Sequence, residues 1–386
     1  MTEFALLAVT LLLAYSNGAN DNFKGVATLY GSGVLNYRQA RLLSTLATVA
    51  GALAAVALAE ALLKAFSGRG LVPNAVVDDP AFAASVALAA GLTVALATRI
   101  GMPISTTHAL IGGLVGAGAM AAGSALNLSS LTQQFVAPLL LGPIIAFVIA
   151  ALLAMLQRKY WAAPSGGEDC VCVSVSVGVN VHANTPAFAS VGARARTQGT
   201  AAGSAITPSL TLGNTDAECA PPLMTESAIV LTESRAINAA HIVSAASVCF
   251  ARGLNDAPKI AALLLVAKSV GASLSIASVA LAMALGGWVH SRRIAETMSH
   301  HIVKLEPRSS FLANLCTAGL VSSASIYGLP LSTTHVSVGA ISGLSIGGQN
   351  LSTATLKHIG LSWLATLPCA AIIGALSYAL LKNFFR

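Results

Sequence analysis

The sequence predicts an all-α, polytopic membrane protein with inverted-topology repeats and discontinuous helices, and three observations support this fold class. Only 9% of the 386 residues are charged, whereas a soluble domain carries about 25%. Hydrophobic residues make up 55% of the chain, and the mean hydropathy is +0.76. A pair of polar motifs also occurs once in each half of the chain. The composition therefore excludes an ordinary soluble enzyme.

Apolar segments occupy most of both halves of the chain. Because each crossing needs about 20 apolar residues, we expect about 10–12 helical membrane segments. Those of the first half run at about 4–20, 40–66, 81–98, 103–122 and 135–157. Those of the second half run at about 236–250, 257–289, 311–327, 331–348 and 358–381. The lipid bilayer is thus a partner, and we expect a multi-pass protein of the cell (inner) membrane.

The middle of the chain has a different composition. Between Arg158 and Arg235 it is rich in Ser, Thr, Gly, Pro and Asn, without an apolar run long enough to cross a bilayer. Arg158 and Lys159 open this connector, which we expect to be cytoplasmic by the positive-inside rule. The net charge of +7 is then explained by cytoplasmic loops, and no nucleic-acid partner is expected. The chain divides into a first membrane repeat, an extramembrane connector and a second membrane repeat, at 1–157, 158–235 and 236–386.

A short strand is predicted inside the connector. The residues 171–177 alternate between Val and small polar side chains, which is the period of a β-strand. Cys170 and Cys172 have a spacing that suits two ligands of a soft metal ion. Since structural metal sites need four ligands, we expect no metal site here.

The two polar motifs follow each other in the same order in both halves. The first is Gly-Ala-Asn-Asp or Gly-Leu-Asn-Asp, and the second is Gly-x-Pro-x-Ser-Thr-Thr-His. Asn-Asp beside Gly predicts a break in an apolar helix, and Pro followed by Ser-Thr-Thr predicts a helix restart with an N-cap. Such restarts expose backbone N–H groups and favour anions. Four broken helices that meet near the midplane predict an ion-coupled oxyanion site.

Four ionisable residues lie inside the predicted membrane helices. Asp21 precedes Lys24 by three positions, and Asp256 precedes Lys259 by three positions. This spacing places each pair on one helix face, and a charge at the bilayer centre costs about 2.5–3.5 kcal/mol on insertion scales. We favour a role in the transport pathway, although two purely structural ion pairs are the alternative.

The motifs resemble those of the inorganic phosphate transporter family of secondary carriers, once per half. This resemblance implies an all-helical carrier, commonly a homodimer, that takes up inorganic phosphate with Na⁺ or H⁺ and needs no cofactor. It also implies phosphate and cation ligands at the matched positions, with Asn20 and Asn255 beside the Asp residues as further coupling-ion ligands. The implied substrate ligands, together with the two lysines, are Asp21, Lys24, Ser105, Thr106, Thr107, Asp256, Lys259, Ser332, Thr333 and Thr334.

The sequence departs from the family pattern at Lys24 and Lys259. The family places Asn at these two positions, so an ammonium group would occupy a cation site. We expect the lysines to supply fixed counter-charge to the oxyanion, with coupling by protons or by one remaining cation site. His108 and His335 follow the Ser-Thr-Thr runs and are candidates for a proton relay; an imidazole that only packs between helices is an equal alternative.

The choice of oxyanion depends on hydrogen bonding. Phosphate near neutral pH keeps a proton that it can donate to a carboxylate, whereas sulfate only accepts. Two Asp residues thus favour phosphate, but sulfate stays open if each Asp is tied to its Lys. No nucleotide-binding or metalloenzyme motif is present in the sequence, so we expect no enzymatic activity. The rival functions are a gated anion channel and, through the connector, a sensor or docking scaffold.

Overall fold

The computed structural model describes residues 2–160, 170–177, 206–213, 227–267, 271–300, 307–345 and 353–384. Apart from three strands in the connector, these residues are almost entirely helical. Nine helical stretches among them are long and apolar enough to cross a bilayer. They are Thr2–Gly31, Tyr37–Leu58, Pro80–Ile100, Thr106–Ala125, Leu128–Tyr160, Arg235–Val266, Ala272–His290, Pro307–Ile326 and Gly360–Leu381.

The first half begins with a long helix that breaks at the predicted motif. Its helices are α1 (Thr2–Asp21), α2 (Ala27–Gly31), α3 (Tyr37–Leu58), α4 (Glu60–Ala65), α5 (Asn74–Val77), α6 (Pro80–Ile100), α7 (Thr106–Ala122), α8 (Leu128–Leu131) and α9 (Ala137–Tyr160). A 3-10 segment, Asn22–Val26, separates α1 from α2.

The second half has six helices among the described residues. It contains α10 (Glu233–Ala261), α11 (Ala272–His290), α12 (Arg292–His300), α13 (Pro307–Ile326), α14 (Thr333–Ser345) and α15 (Thr353–Leu381). A 3-10 segment, Ala262–Val266, follows α10. Helix α14 has 13 residues, fewer than the roughly 20 that a full crossing requires.

The connector contains a separate three-stranded antiparallel sheet. Its strands are β1 (Cys170–Val177), β2 (Ile206–Gly213) and β3 (Ser227–Thr232), in the order β2-β1-β3. The strand predicted at 171–177 is therefore present as β1. By its internal contacts the chain forms two compact units, one from Met1–Ala162 with Ala240–Arg386 and one from Ala163–Ala239.

The two halves differ in where the Asn-Asp helix breaks. Helix α1 ends at Asp21, as predicted, and the Asp21 carbonyl accepts a hydrogen bond from Arg252 Nη1. Helix α10 instead continues through Asp256 and past Pro258 to Ala261, so the break predicted at this Asn-Asp is wrong in position. In the first half, the Arg252 side chain takes the place of a helical N–H as the donor to the Asp21 carbonyl. In the second half, Pro258 lacks a backbone N–H, and the chain becomes a 3-10 segment only after it.

The restart of a helix at each Ser-Thr-Thr run is confirmed. Ser105 caps α7 by accepting from His108 N at 3.2 Å, and Ser332 accepts from His335 N at 3.4 Å at the start of α14. The preceding glycines, Gly101 and Gly328, have φ of 79° and 72°. This left-handed conformation reverses the chain before each Pro and favours glycine.

The motif glycines bring helices of opposite halves into close contact. A Cβ atom at Gly18 of α1 would lie 1.9 Å from the carbonyl oxygen of Met283 in α11. In the matching place, a Cβ atom at Gly253 of α10 would lie 2.0 Å from the carbonyl oxygen of Thr48 in α3. The helix that carries each Asp therefore packs directly against a helix of the other half.

Candidate functional site

The first Asp-Lys pair is buried and reaches both halves of the protein. The Lys24 ammonium donates to Asp21 Oδ1, to Ile104 O at 2.6 Å and to Thr334 Oγ1 at 3.1 Å. Ile104 precedes the α7 N-cap, and Thr334 lies in the first turn of α14. One cation therefore joins the broken helix of the first half to both restarted helices.

The second pair repeats these contacts with the halves exchanged. Lys259 Nζ donates to Leu331 O at 2.7 Å and to Thr107 Oγ1 at 2.9 Å. It lies 3.7 Å from Asp256 Oδ1. Each lysine thus binds its own Asp, the carbonyl before the helix restart of its own half, and the last Thr of the other half's Ser-Thr-Thr run.

Asn17 connects the two carboxylates. Its Nδ2 lies 3.0 Å from Asp21 Oδ2, 3.3 Å from Asp256 Oδ2 and 3.0 Å from Thr106 Oγ1. Because an amide carries only two N–H donors, it shares them among three acceptors. Both Asp side chains therefore lie around one nitrogen at the centre of the site.

All four carboxylate oxygens of the two Asp residues already have a partner. Besides Lys24 and Asn17, Thr106 Oγ1 donates to Asp21 Oδ2 at 2.9 Å. Asn255 Nδ2 donates to Asp256 Oδ1 at 2.9 Å. Both Asp residues are 4% exposed, and satisfied partners of this kind are what a buried charge requires.

Comparison with known proteins shows that one family profile spans all the residues of this site. The sequence profile of the phosphate transporter family matches residues 17–374, which include both Asp-Lys pairs and both Ser-Thr-Thr runs. The chain belongs to the phosphate transporter family.

Relatives of this family cover nearly the whole chain. A protein of Pyrococcus furiosus that carries a phosphate permease name is 27% identical over 97% of this chain and 95% of its own length. The chloroplastic inorganic phosphate transporter 2-1 of Arabidopsis thaliana is 26% identical over 97% of this chain and 71% of its own length. A solved structure of a protein named as a sodium-dependent phosphate transporter has the same fold, with a TM-score of 0.68, 20% identity and 99% of each chain covered.

In this family member the predicted coupling-ion residues Asn20 and Asn255 hold the loops before the restarted helices. Asn20 Nδ2 donates to Met102 O at 3.0 Å, and its Oδ1 accepts from Ile104 N at 3.2 Å. Asn255 Nδ2 donates to Leu331 O at 3.1 Å. The two Asn residues therefore position the carbonyls that the lysines contact, and their role as ion ligands stays a prediction.

The Ser-Thr-Thr residues have three different kinds of contact. Ser105 and Ser332 are N-caps, as described above. Thr106 and Thr333 face the Asn-Asp motif of their own half, since Asn255 Nδ2 lies 3.4 Å from Thr333 Oγ1. Thr107 and Thr334 contact the lysines across the halves. All the sequence-predicted substrate ligands thus lie in one buried cluster except the two Ser hydroxyls, which bind backbone N–H groups.

The two histidines pair with each other beside this cluster. The rings of His108 and His335 are 4.4 Å apart between centroids, at 71°. His108 Nδ1 lies 3.1 Å from Ser105 Oγ, and the His335 ring stands edge-on to Trp363 at 3.5 Å. Both ring nitrogens of His335 lack a hydrogen-bond partner among the described residues. A proton relay through the two histidines stays a prediction.

Sequence reasoning missed Asn17 and Arg252. They occupy equivalent positions, four residues before Asp21 and Asp256, and so lie one helical turn away on the same face. Arg252 is 1% exposed and donates to the Asp21 carbonyl. The signal was available in the sequence, because an Arg between two apolar segments and next to a repeated motif needs a partner or a function in a membrane.

A basic cavity opens next to the first half of the site. Its volume is about 880 Å³, and its lining includes Thr98. The charged side chains that line it are Arg99, Arg292, Arg293 and Glu296, and Glu296 pairs with Arg292 at 3.1 Å. Thr98 Oγ1 accepts from Asn20 Nδ2 at 3.0 Å. Positive charge in such a cavity raises the local concentration of anions.

Proposed function

We propose that this chain is a secondary active carrier of inorganic phosphate in which Lys24 and Lys259 take the place of coupling Na⁺ ions. The observation that carries the proposal is the oxygen shell of Lys24. A carboxylate, a loop carbonyl and a hydroxyl surround its ammonium, and carbonyls of broken helices with such oxygens are ligands for Na⁺ in transporters. The same shell recurs around Lys259.

Coupling then rests on protons or on one remaining cation site. Two fixed ammonium groups balance the two carboxylates without any bound ion, so the carrier holds its own counter-charge. His108 and His335 are the imidazole groups next to this cluster, and we keep them as the candidates for a proton relay. The solved structure of the same fold belongs to a protein named as sodium-dependent, and this chain would differ from it in coupling.

Movement would follow an alternating-access scheme with inverted repeats. The contacts of each Lys and of each motif glycine recur with the halves exchanged, which is expected when one repeat-related bundle moves against the other around a central site. A homodimer in the cell (inner) membrane, in contact with lipid, is part of the same proposal.

Sulfate is the second candidate substrate, because every carboxylate oxygen already accepts a hydrogen bond. The two Asp residues are then less available to accept the proton of phosphate, and a donor-rich site also suits sulfate. The lysines, the Thr hydroxyls and the helix N-termini would serve either anion.

Competition between the two anions tests the proposal. The purified protein is reconstituted into liposomes, and uptake of labelled phosphate is measured with increasing sulfate at two Na⁺ concentrations and two pH values. We expect saturable uptake that sulfate inhibits only weakly. Stronger inhibition by sulfate than by unlabelled phosphate would reassign the substrate, and an absence of saturable phosphate or sulfate uptake would contradict the proposed function.

A gated anion channel is separated from a carrier by counterflow. Liposomes preloaded with unlabelled phosphate should accumulate labelled phosphate transiently above equilibrium if the protein is a carrier. Two carboxylates at the centre argue for this result, because they would repel a free anion in an open pore. Uptake that never exceeds equilibrium would favour a channel.

A further inference from the structure

Arg252 is a buried cation with a free donor edge. Its Nη1 is bound to the Asp21 carbonyl, whereas its Nε and Nη2 have no hydrogen-bond partner among the described residues. It also takes part in none of the ion pairs found in the described part of the chain. Unpaired buried donors are rare and costly, and more so on a charged group.

The two free nitrogens form one edge of the guanidinium plane. The N–H bonds of Nε and Nη2 are parallel, and this spacing matches two oxygens of a carboxylate or of a tetrahedral oxyanion. Since Nη1 fixes the side chain to the end of α1, the free edge is held in place without a ligand. Such preorganisation lowers the entropic cost of binding.

Asn17, at the equivalent position of the first half, has the complementary free group. Its Nδ2 holds the two carboxylates, but its Oδ1 is buried and lacks a donor among the described residues. Arg252 and Asn17, which differ between the two halves at the same motif position, therefore offer two free donors and one free acceptor. Sulfate has no proton for that acceptor, whereas protonated phosphate has one.

The charges of the buried site point to the same ligand. Lys24, Lys259 and Arg252 carry three positive charges, and Asp21 and Asp256 carry two negative charges. By formal charge, one positive charge of this buried set thus has no counter-charge among the described residues, and an unbalanced charge in the membrane costs free energy. An anion with a single negative charge neutralises it, and dihydrogen phosphate is such an anion.

We propose that the free edge of Arg252 binds the transported oxyanion and that Asn17 Oδ1 accepts its proton, so that the site selects singly charged, protonated phosphate. This inference rests on the proposed function and adds the charge state of the substrate and the two residues that determine it. The alternative is that Arg252 only holds the end of α1. Lysine can make that single bond but cannot present a two-donor edge.

Binding of phosphate to the detergent-purified full chain tests the role of Arg252. In Arg252→Lys we expect the Kd for phosphate to rise about 10- to 100-fold, which corresponds to one charge-assisted hydrogen-bond pair. Arg41→Lys is the matched control, because Arg41 also donates to a main-chain carbonyl, that of Trp288, and its Kd should equal the wild-type value. A wild-type Kd in Arg252→Lys would overturn the inference.

Proton uptake on binding tests the charge state with the unmodified protein. Calorimetry in buffers of different ionisation enthalpy should show about one proton taken up per phosphate near pH 8.5 and almost none near pH 5.5, because the site takes the monoanion. Sulfate is the control for protons taken by the protein, since the titratable groups of the site are Asp21, Lys24, His108, Asp256, Lys259 and His335. Equal proton uptake with sulfate near pH 8.5, or none with phosphate, would overturn the inference.

These outcomes separate the inference from the proposed function. A wild-type protein that binds neither phosphate nor sulfate would contradict both. Phosphate binding and transport by wild type, together with an unchanged Kd in Arg252→Lys, would leave the proposed function standing and remove Arg252 from it. If Arg252→Lys does not fold, Arg252→Gln and the proton measurement still decide.

Discussion

Two side chains three positions apart define each half of the site, and their pairing was predictable from the sequence. The i, i+3 spacing placed Asp21 beside Lys24 and Asp256 beside Lys259, and both ion pairs are present. The exchange of partners between the halves was not predictable, because the contact of Lys24 with Thr334 depends on how distant helices pack. Arg252 was missed since it lies outside the repeated motif.

Removal of one central carboxylate should abolish transport. Asp21→Asn leaves the Lys24 ammonium buried without its counter-charge, and breaking such a pair costs about 3–5 kcal/mol. We expect uptake of labelled phosphate to fall to background while gel filtration still shows a folded protein; Asp256→Asn should behave alike. Glu60→Gln is the control, because Glu60 also pairs with a Lys, at 2.7 Å, but that pair is exposed. Full transport activity in Asp21→Asn would contradict the placement of Asp21 in the substrate site.

Replacement of a site lysine should change the ion requirement. Lys259→Asn restores the residue of the family pattern and leaves Leu331 O and Thr107 Oγ1 without their cation. We expect Na⁺ to stimulate phosphate uptake by this variant more than it stimulates wild-type uptake. The exposed Lys64 offers the matched control, Lys64→Asn. A variant whose Na⁺ response equals that of wild type would argue against lysines as substitutes for Na⁺.

At the level of helices, the restarts depend on local chemistry, whereas the break at the end of α1 depends on a contact with another helix. Ser caps and left-handed glycines are sequence signals, and α7 and α14 begin where these signals place them. The end of α1 depends on Arg252, a residue of another helix, and therefore no local pattern distinguishes it from α10. Asn255 and Asp256 consequently lie within a helix, whereas Asp21 ends one.

Close packing between the halves makes a prediction about glycine. A Cβ atom at Gly286 would lie 1.9 Å from the Tyr15 carbonyl oxygen, so Gly286→Ala must separate α1 from α11. We expect a loss of at least about 1–3 kcal/mol, as for other overpacked cores, read as a lower thermal midpoint in detergent. Gly319 lies in helix α13 with open space around it, and Gly319→Ala should not lower the midpoint. Equal midpoints in the two variants would contradict this packing.

At the scale of the molecule, all the site residues belong to one compact unit and the sheet to another. The sequence separates a connector at 158–235 from two membrane repeats by composition alone, because a Ser- and Gly-rich stretch cannot fill a membrane helix. This division into three domains stays a prediction. What the second unit does was not predictable, since its strands carry no recognisable site.

Transport should not depend on the connector. Replacement of residues 165–225 by a Gly-Ser linker removes β1 and β2 and leaves both Asp-Lys pairs intact. We expect the same KM for phosphate in reconstituted liposomes. The Vmax should fall only in proportion to any decrease in the amount of protein that inserts into the liposomes. Loss of phosphate binding in the replaced protein would instead make the connector part of the transport mechanism.

The central claim is that fixed ammonium groups replace coupling Na⁺ in a phosphate carrier. The most direct measurement is uptake of labelled phosphate into proteoliposomes with an inward proton gradient, with choline or with Na⁺ as the external cation. We predict saturable uptake in choline as well as in Na⁺. Strict dependence on a Na⁺ gradient in the wild-type protein would contradict the claim.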